Sequence, residues 1–535
     1  MSKLIYGLKP SVLFQSAVHL LRRDIPKAKS VAIGTLQEFP AVSELLTGDA
    51  CEDVDSTVLT WFKGNNSYVP QKLDHLFERA FLQMHLPSPE SLTFLTFLEQ
   101  ADIHSHNGYL SNSPCEEFEC TMKKFNNYLM TSLENWGEVP EEHRVSYNIL
   151  IWLVKEKEKM EAFRINRYAL DQLDGFHTGY VLLMTDMAPL SSLEHVDLYI
   201  NRLKASTKKF VMYAEKLIVQ REAGVFPPKL CLEKVSRSIE GTIANLENES
   251  ENMLTSVLKE KFKASTGQDL PDSLRLKASK AIVDFVIPGY TALLKEVYSC
   301  VEDADDKAGV WKLPNGEQFY NQCLRMETTT NLTAQQIHDI GLREVKSLHD
   351  GVQQVIERLN KSGDMLLDGS GSINSNLQKL NQTDSFFYGD SEEERSTCIK
   401  DFQAQLAEIS NKVGPMFSVL PQSKCEIKPM PAAMGEGGAG ACYWPGSLDL
   451  TRPGYFYANL TDMKAQNKAQ MRTLTAHEAV PGHHFQISVQ LENTKLPYFR
   501  RACVDLEGNW FNAYVEGWGL YSERLAKEVH IYVYM

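Results

Sequence analysis

The chain has 535 residues, 43% of them hydrophobic and 23% charged. That composition is ordinary for a globular protein with a large core and excludes a disordered or fibrous chain. Lys and Arg number 55 against 69 Asp and Glu, a net charge of −14, so the electrostatic footprint of a nucleic-acid binder is missing and no nucleic-acid partner is expected. The ten cysteines are scattered, with no Cys-x-x-Cys pair, as in a protein with reduced thiols. No run approaches the roughly 18 apolar residues of a membrane span, and MSKLIYGLKPSVLFQSAVHLLRRD is no clean signal peptide. These features set the expectation of a cytoplasmic protein with no membrane partner.

Helical periodicity dominates. Leu198, Leu203, Phe210, Val211, Ala214, Leu217 and Ile218 give the segment 196–222 one apolar stripe. The segment 273–301 reads as a helix with a break expected at Pro288. The segment 332–359 opens on Thr333 with Gln336 three residues on, a capping box. Residues 361–392 are polar and rich in Gly, Ser and Asn, the texture of a surface insertion or linker. A helix is expected near 393–413, and the aromatic stretch Gly454-Tyr455-Phe456-Tyr457-Ala458-Asn459-Leu460 is the best strand candidate. Helical patterning returns from 464 to 528. The division that follows is a helical lobe over 1–360, the linker, and a catalytic lobe over 393–535, unless the whole is one continuous domain.

Two motifs are decoys. Gly435-Glu436-Gly437-Gly438-Ala439-Gly440 matches G-x-G-x-x-G, but prolines precede it and Cys442-Tyr443-Trp444-Pro445 follows, so no helix opens on it and a flexible loop is expected. His104-Ser105-His106 lies in a polar stretch without a partner cluster, which reads as surface histidines.

The informative segment is His477-Glu478-Ala479-Val480-Pro481-Gly482-His483-His484, where three of the fourteen histidines fall within eight residues. The zincin motif H-E-x-x-H sets two imidazoles one turn apart, with Glu as general base. Here position i+4 is Pro481 and the next histidines are at i+6 and i+7. On a straight helix those sites lie about 9 and 10.5 Å along the axis, too far for one zinc. Pro481-Gly482 permits a distortion, and two residues looped out as a bulge would bring His483 into register. The spacing itself leaves His483 and His484 open as the second ligand. A third ligand is expected on the following helix, Asn512-Ala-Tyr514-Val-Glu516-Gly-Trp518-Gly-Leu-Tyr521-Ser-Glu523. Its aromatic flank suggests that Glu516 is partly buried, and Glu523, seven residues on, shares its face and is placed to fix a ligand imidazole.

HEAVPGHHFQ, AYVEGWGLYSE, RPGYFYANL and LTAQQIHDIGLREV together resemble the domain-of-unknown-function 885 family. Its members are regarded as zinc peptidases, remotely similar to thimet oligopeptidase, angiotensin-converting enzyme and carboxypeptidase Taq. The resemblance implies a mainly α, peptidase-like fold with a deep cleft and a small β-sheet near the active site. It also implies zinc held by His477, His483 rather than His484, and Glu516, with Glu478 as the base acting on zinc-bound water in the hydrolysis of short peptides. His484, Tyr457, Asn459, Tyr514, Tyr521 and Glu523 are the candidates for supporting the ligands or meeting substrate. Residues 455–460 are expected to be an edge strand that takes the substrate backbone by strand addition. Family members continue past the EGW helix with further His, Arg and Tyr motifs. The alternative is therefore a truncated or inactive paralogue that binds metal or a partner.

Overall fold

The computed structural model describes residues 73–528 except 86–87, 97, 100–103, 174, 249–251, 364–370, 432–434, 436–438 and 503–510. The protein is mainly α. In chain order the helices are α1 (Leu73–His85), α2 (Pro89–Leu95), α3 (Glu116–Glu134), α4 (Glu141–Met160), α5 (Phe176–Leu182), α6 (Leu193–Glu222), α7 (Lys229–Leu246), α8 (Met253–Thr266), α9 (Asp272–Ala281), α10 (Ile287–Asp303), α11 (Gly316–Thr328), α12 (Ala334–Ser362), α13 (Ile373–Asn381) and α14 (Glu392–Val413). Three strands follow, β1 (Cys425–Pro429), β2 (Ala441–Trp444) and β3 (Gly454–Ala458). The last helices are α15 (Met471–Glu478), α16 (His483–Glu492), α17 (Tyr498–Arg501) and α18 (Asn512–Glu528).

Local chemistry sets several of these ends. Ser192 caps α6 by accepting from the His195 amide, and Thr333 and Gln336 form the expected capping box on α12. Pro288 sits in the first turn of α10, and the break expected there takes the form of a π-helical stretch just ahead of it, Ile282–Val286, through which the backbone stays helical. The interval expected to be a linker is not all loop. It holds α13, whose N-cap Ser372 accepts from the Ser375 amide, because Ile373, Leu377 and Leu380 recur at helical spacing within a polar background.

The largest core joins α6, α7, α8 and α10 through residues such as Leu203, Phe210, Ile239, Leu258 and Tyr290. Other cores tie early helices to late ones. Phe81, Leu92 and Leu95 pack with Ile487, Leu491 and Ala502, while Phe499 and Phe511 lean on the core of α1, α3 and α4.

The sheet order is β1-β3-β2, with β3 parallel to β1 and antiparallel to β2. The strand expected at the edge is therefore the central one, and it has no free side for a substrate. Its five residues are all buried, since both faces are covered and side chains alternate between them. Phe456 and Ala458 pack against Phe402, Met471 and Ala479, whereas Tyr455 and Tyr457 pack against Leu182, Leu183 and Met187. The edges belong to β1 and β2, and β2 touches both α15 and α16.

Candidate metal centre

The helix carrying His477 stops where the sequence predicts trouble. Ala479 (φ −110, ψ −93) and Gly482 (φ −78, ψ −132) both leave the helical region, so α15 and α16 are separate helices rather than one helix with a bulge. The surplus of two residues is nonetheless visible in the backbone. The Phe485 amide donates to the Ala479 carbonyl, six residues back at 3.1 Å, in place of the usual four. Gly482 is required by space, since a Cβ there would lie 1.7 Å from the His477 carbonyl oxygen.

Two donors from α18 hold the break. Trp518 Nε1 donates to the Pro481 carbonyl at 2.7 Å and Ser522 Oγ donates to the same oxygen at 3.2 Å. Ser522 belongs to the inward stripe of α18, with Val515, Gly519 and Ala526 at steps of four, three and four. Ala526 anchors the stripe by packing with Ile409, Val413 and Ala476.

These elements bring His477, His483 and Glu516 together. One donor atom from each lies within 4.8 Å of the others, the one such group among the described residues. Glu516 Oε2 is 3.2 Å from His477 Nε2 and 3.6 Å from His483 Nε2. The two imidazoles meet edge to face, ring centres 4.6 Å apart. Glu523 Oε1 lies 2.8 Å from His477 Nδ1, leaving Nε2 toward the cluster, the usual way a carboxylate orients a ligating imidazole. Gly519 makes room for that ring, because a Cβ there would come within 2.7 Å of it.

The electrostatics favour a cation. Burial works against a charged His477, yet Glu516 and Glu523 carry its pKa up to about 10. Hydrogen bonds from His477 and His483 hold the Glu516 carboxyl below its ordinary range. Burial pushes the Glu478 carboxyl up, with His483 and His477 pulling it back. Three carboxylates thus surround two imidazoles, and two histidine nitrogens with one carboxylate oxygen are a donor set suited to zinc.

The other sequence-predicted residues lie elsewhere. Glu516, at the centre, is half exposed, at 54% of its side chain; of the residues flanking it, Tyr514, Leu520 and Tyr521 are exposed while Trp518 turns inward to the Pro481 carbonyl. His484 does not face the cleft. It is buried, its Nδ1 3.1 Å from Tyr443 Oη and 3.3 Å from Ser488 Oγ, and burial takes its pKa down to about 4. Tyr457 is buried on the sheet face away from α15. Asn459 is buried, its side-chain amide donating to the Gly435 and Ala439 carbonyls while its oxygen accepts from Thr461. These bonds hold Gly435 and Ala439 at the two ends of the glycine-rich stretch, whose residues 436–438 lie outside the described residues. His106 is not a surface histidine but fully buried, 2.9 Å from Glu99. Sequence reasoning missed Tyr443, Gly519, Trp518 and Ser522; the run Gly517-Trp518-Gly519 beside Glu516 was the available signal for the middle two.

Comparison with known proteins places the chain. The family of bacterial proteins of unknown function DUF885 matches residues 120–533. The chain belongs to that family. A protein from Colwellia psychrerythraea, described as a candidate lipoprotein, has the same fold, with a TM-score of 0.75 and 24% identity over 86% of this chain and 78% of its own. A second candidate lipoprotein of unknown function, from Shewanella oneidensis, aligns with a TM-score of 0.53 and 15% identity over 85% of this chain and 77% of its own. No curated protein matches. The descriptions of both neighbours as lipoproteins overturn the expectation of a cytoplasmic protein. Among the described residues, no helix is long and apolar enough to cross a membrane.

Proposed function

We propose that this DUF885 protein is a zinc-dependent peptidase that hydrolyses short peptides. The observation that carries the reading is the convergence of His477, His483 and Glu516 within 4.8 Å, with Glu478 adjacent and Glu523 bracing His477. Zinc held by those three residues would supply a Lewis acid for the scissile carbonyl and acidify the attacking water. Glu478 is the base. Its burial at 7% exposure raises its proton affinity, so it takes the proton from the attacking water and passes it to the departing amine. Glu523 keeps His477 in one tautomer through both transfers. The edge of β2, beside α15 and α16, is the surface that supports binding of an extended peptide by strand addition. The lipoprotein descriptions of the two structural neighbours support an exported, membrane-anchored location for this chain.

The test is hydrolysis of a mixed peptide library with and without a chelator, alongside metal content. Glu478→Gln should keep stoichiometric zinc and lose roughly 10²–10⁴-fold in turnover, the usual share of general acid–base catalysis. Turnover retained in that variant removes Glu478 as the base. Wild-type protein that binds zinc and cleaves nothing would identify the inactive metal-binding alternative.

A further inference from the structure

A cavity of about 510 Å³ opens between the early helices α1 and α4 and the late helices α16 and α18. Its lining is mostly apolar, with Trp152, Ile487, Phe499, Phe511 and Val515, beside polar groups that include Gln486 and Arg500. Two of these residues tie it to the metal centre. Val515 immediately precedes Glu516 on α18, and Ile487 lies one turn beyond His483 on α16, about 6 Å along the axis. A side chain seated in the cavity would lie against the two helices that carry His483 and Glu516.

One polar group in the wall is unsatisfied. Gln486, 8% exposed, donates through Nε2 to the Tyr514 carbonyl at 3.2 Å. Its Oε1 has no hydrogen-bond partner among the described residues. A buried acceptor without a donor is costly, and a turn of the Gln486 side chain toward the cavity would let the N–H of a bound molecule relieve that cost. Aromatic walls, a volume in the range of ligand sites and one waiting acceptor are the usual composition of a specificity pocket. Trp152 and Phe511, ring centres 6.0 Å apart and tilted by 54°, offer edges and faces to a third ring.

We infer that this cavity is the specificity pocket of the enzyme and takes an aromatic side chain of the peptide next to the scissile bond, with Gln486 Oε1 accepting from a peptide N–H. The inference rests on the peptidase reading for the identity of the ligand, but binding tests it separately from hydrolysis. The probes are N-acetyl-phenylalanine amide and N-acetyl-alanine amide, titrated calorimetrically into the full, zinc-loaded chain. The phenylalanine probe should bind about tenfold more tightly or better, from burial of its ring. Ile149→Trp, a substitution at the half-exposed rim, should abolish that preference while the melting temperature holds. Equal binding of the two probes by the wild type, or a preference that survives in a folded Ile149→Trp variant, overturns the pocket. Preference for the phenylalanine probe without cleavage of any peptide supports the pocket and removes the peptidase reading. Cleavage of peptides with no aromatic preference in probe binding does the reverse.

Discussion

Two pairs of histidine rings in this molecule are 4.6 Å apart and roughly perpendicular. One is His477 and His483 at the candidate metal centre; the other is His104 and His195, beside His106 in the α2–α6 region. Ring geometry alone does not tell them apart. Their neighbours do. The first pair faces the carboxylates of Glu478, Glu516 and Glu523. Beside the second, Glu99 approaches His106 but so does Arg202, fully buried and donating to the His106 and Tyr109 carbonyls and to Thr93 Oγ1. A divalent cation is attracted by the first field and repelled by a guanidinium in the second. The candidate metal centre and the structural knot thus differ in the buried guanidinium that the second cluster packs against.

Four changes sharpen that contrast. Arg202→Met should act on the structural knot alone, costing on the order of 3–5 kcal/mol because the buried His106 and Tyr109 carbonyls lose their donor and Glu90 and Glu99 lose a nearby positive charge. Chemical denaturation measures it, and zinc content at the other cluster should not change; a cost below about 1 kcal/mol would mean that Arg202 is not the knot's anchor. Acid should also weaken the N-terminal side. Burial lowers the His177 pKa to about 4, so the unfolded chain gains this proton near pH 6.5 and the folded one only near 4. Stability is therefore held above about pH 6.5 and falls by up to about 3 kcal/mol as pH drops toward 4. His177→Gln should flatten that part of the pH–stability curve, and an unchanged slope would refute the assignment.

The two smaller effects belong to the metal side. Glu523→Gln should weaken zinc binding by roughly 10–100-fold, read by competition with a chromogenic chelator, because His477 loses the charge that orients it. Equal affinity would leave Glu523 without a role at the centre. Trp518→Phe removes one of two donors to the Pro481 carbonyl and should cost about 1 kcal/mol of stability. The remaining Ser522 donor should keep the zinc stoichiometric, and a zinc-free variant would show that the break depends on both.

Much of the fold was legible because helices announce themselves locally. The stripe of α6, the capping box of α12 and the aromatic β3 all follow from period and end chemistry. The Pro-Gly pair marked where the helix yields, but the grouping of His477, His483 and Glu516 needed the family resemblance, because the spacing left His483 and His484 open. What stayed hidden depends on contacts distant in sequence. The position of β3 between β1 and β2 is a matter of sheet order, which no single strand encodes. Glu516 is exposed although aromatics flank it, because the stripe that packs inward runs through Val515, Gly519 and Ser522 instead. The burial of His106 depends on Arg202, ninety-six residues away, and a polar local sequence gives no sign of it.

One helix carries most of what completes the centre. α18 brings the third candidate ligand, the carboxylate bonded to His477, the gap at Gly519 and both donors to the Pro481 carbonyl. Glu516 follows His477 by 39 residues. At roughly 5–20 residues per second, a ribosome needs about 2–8 s to travel from one to the other. For most of that interval the nascent chain has both imidazoles but not the carboxylate that completes the group. The order of synthesis therefore leaves the three candidate ligands incomplete until α18 has been made.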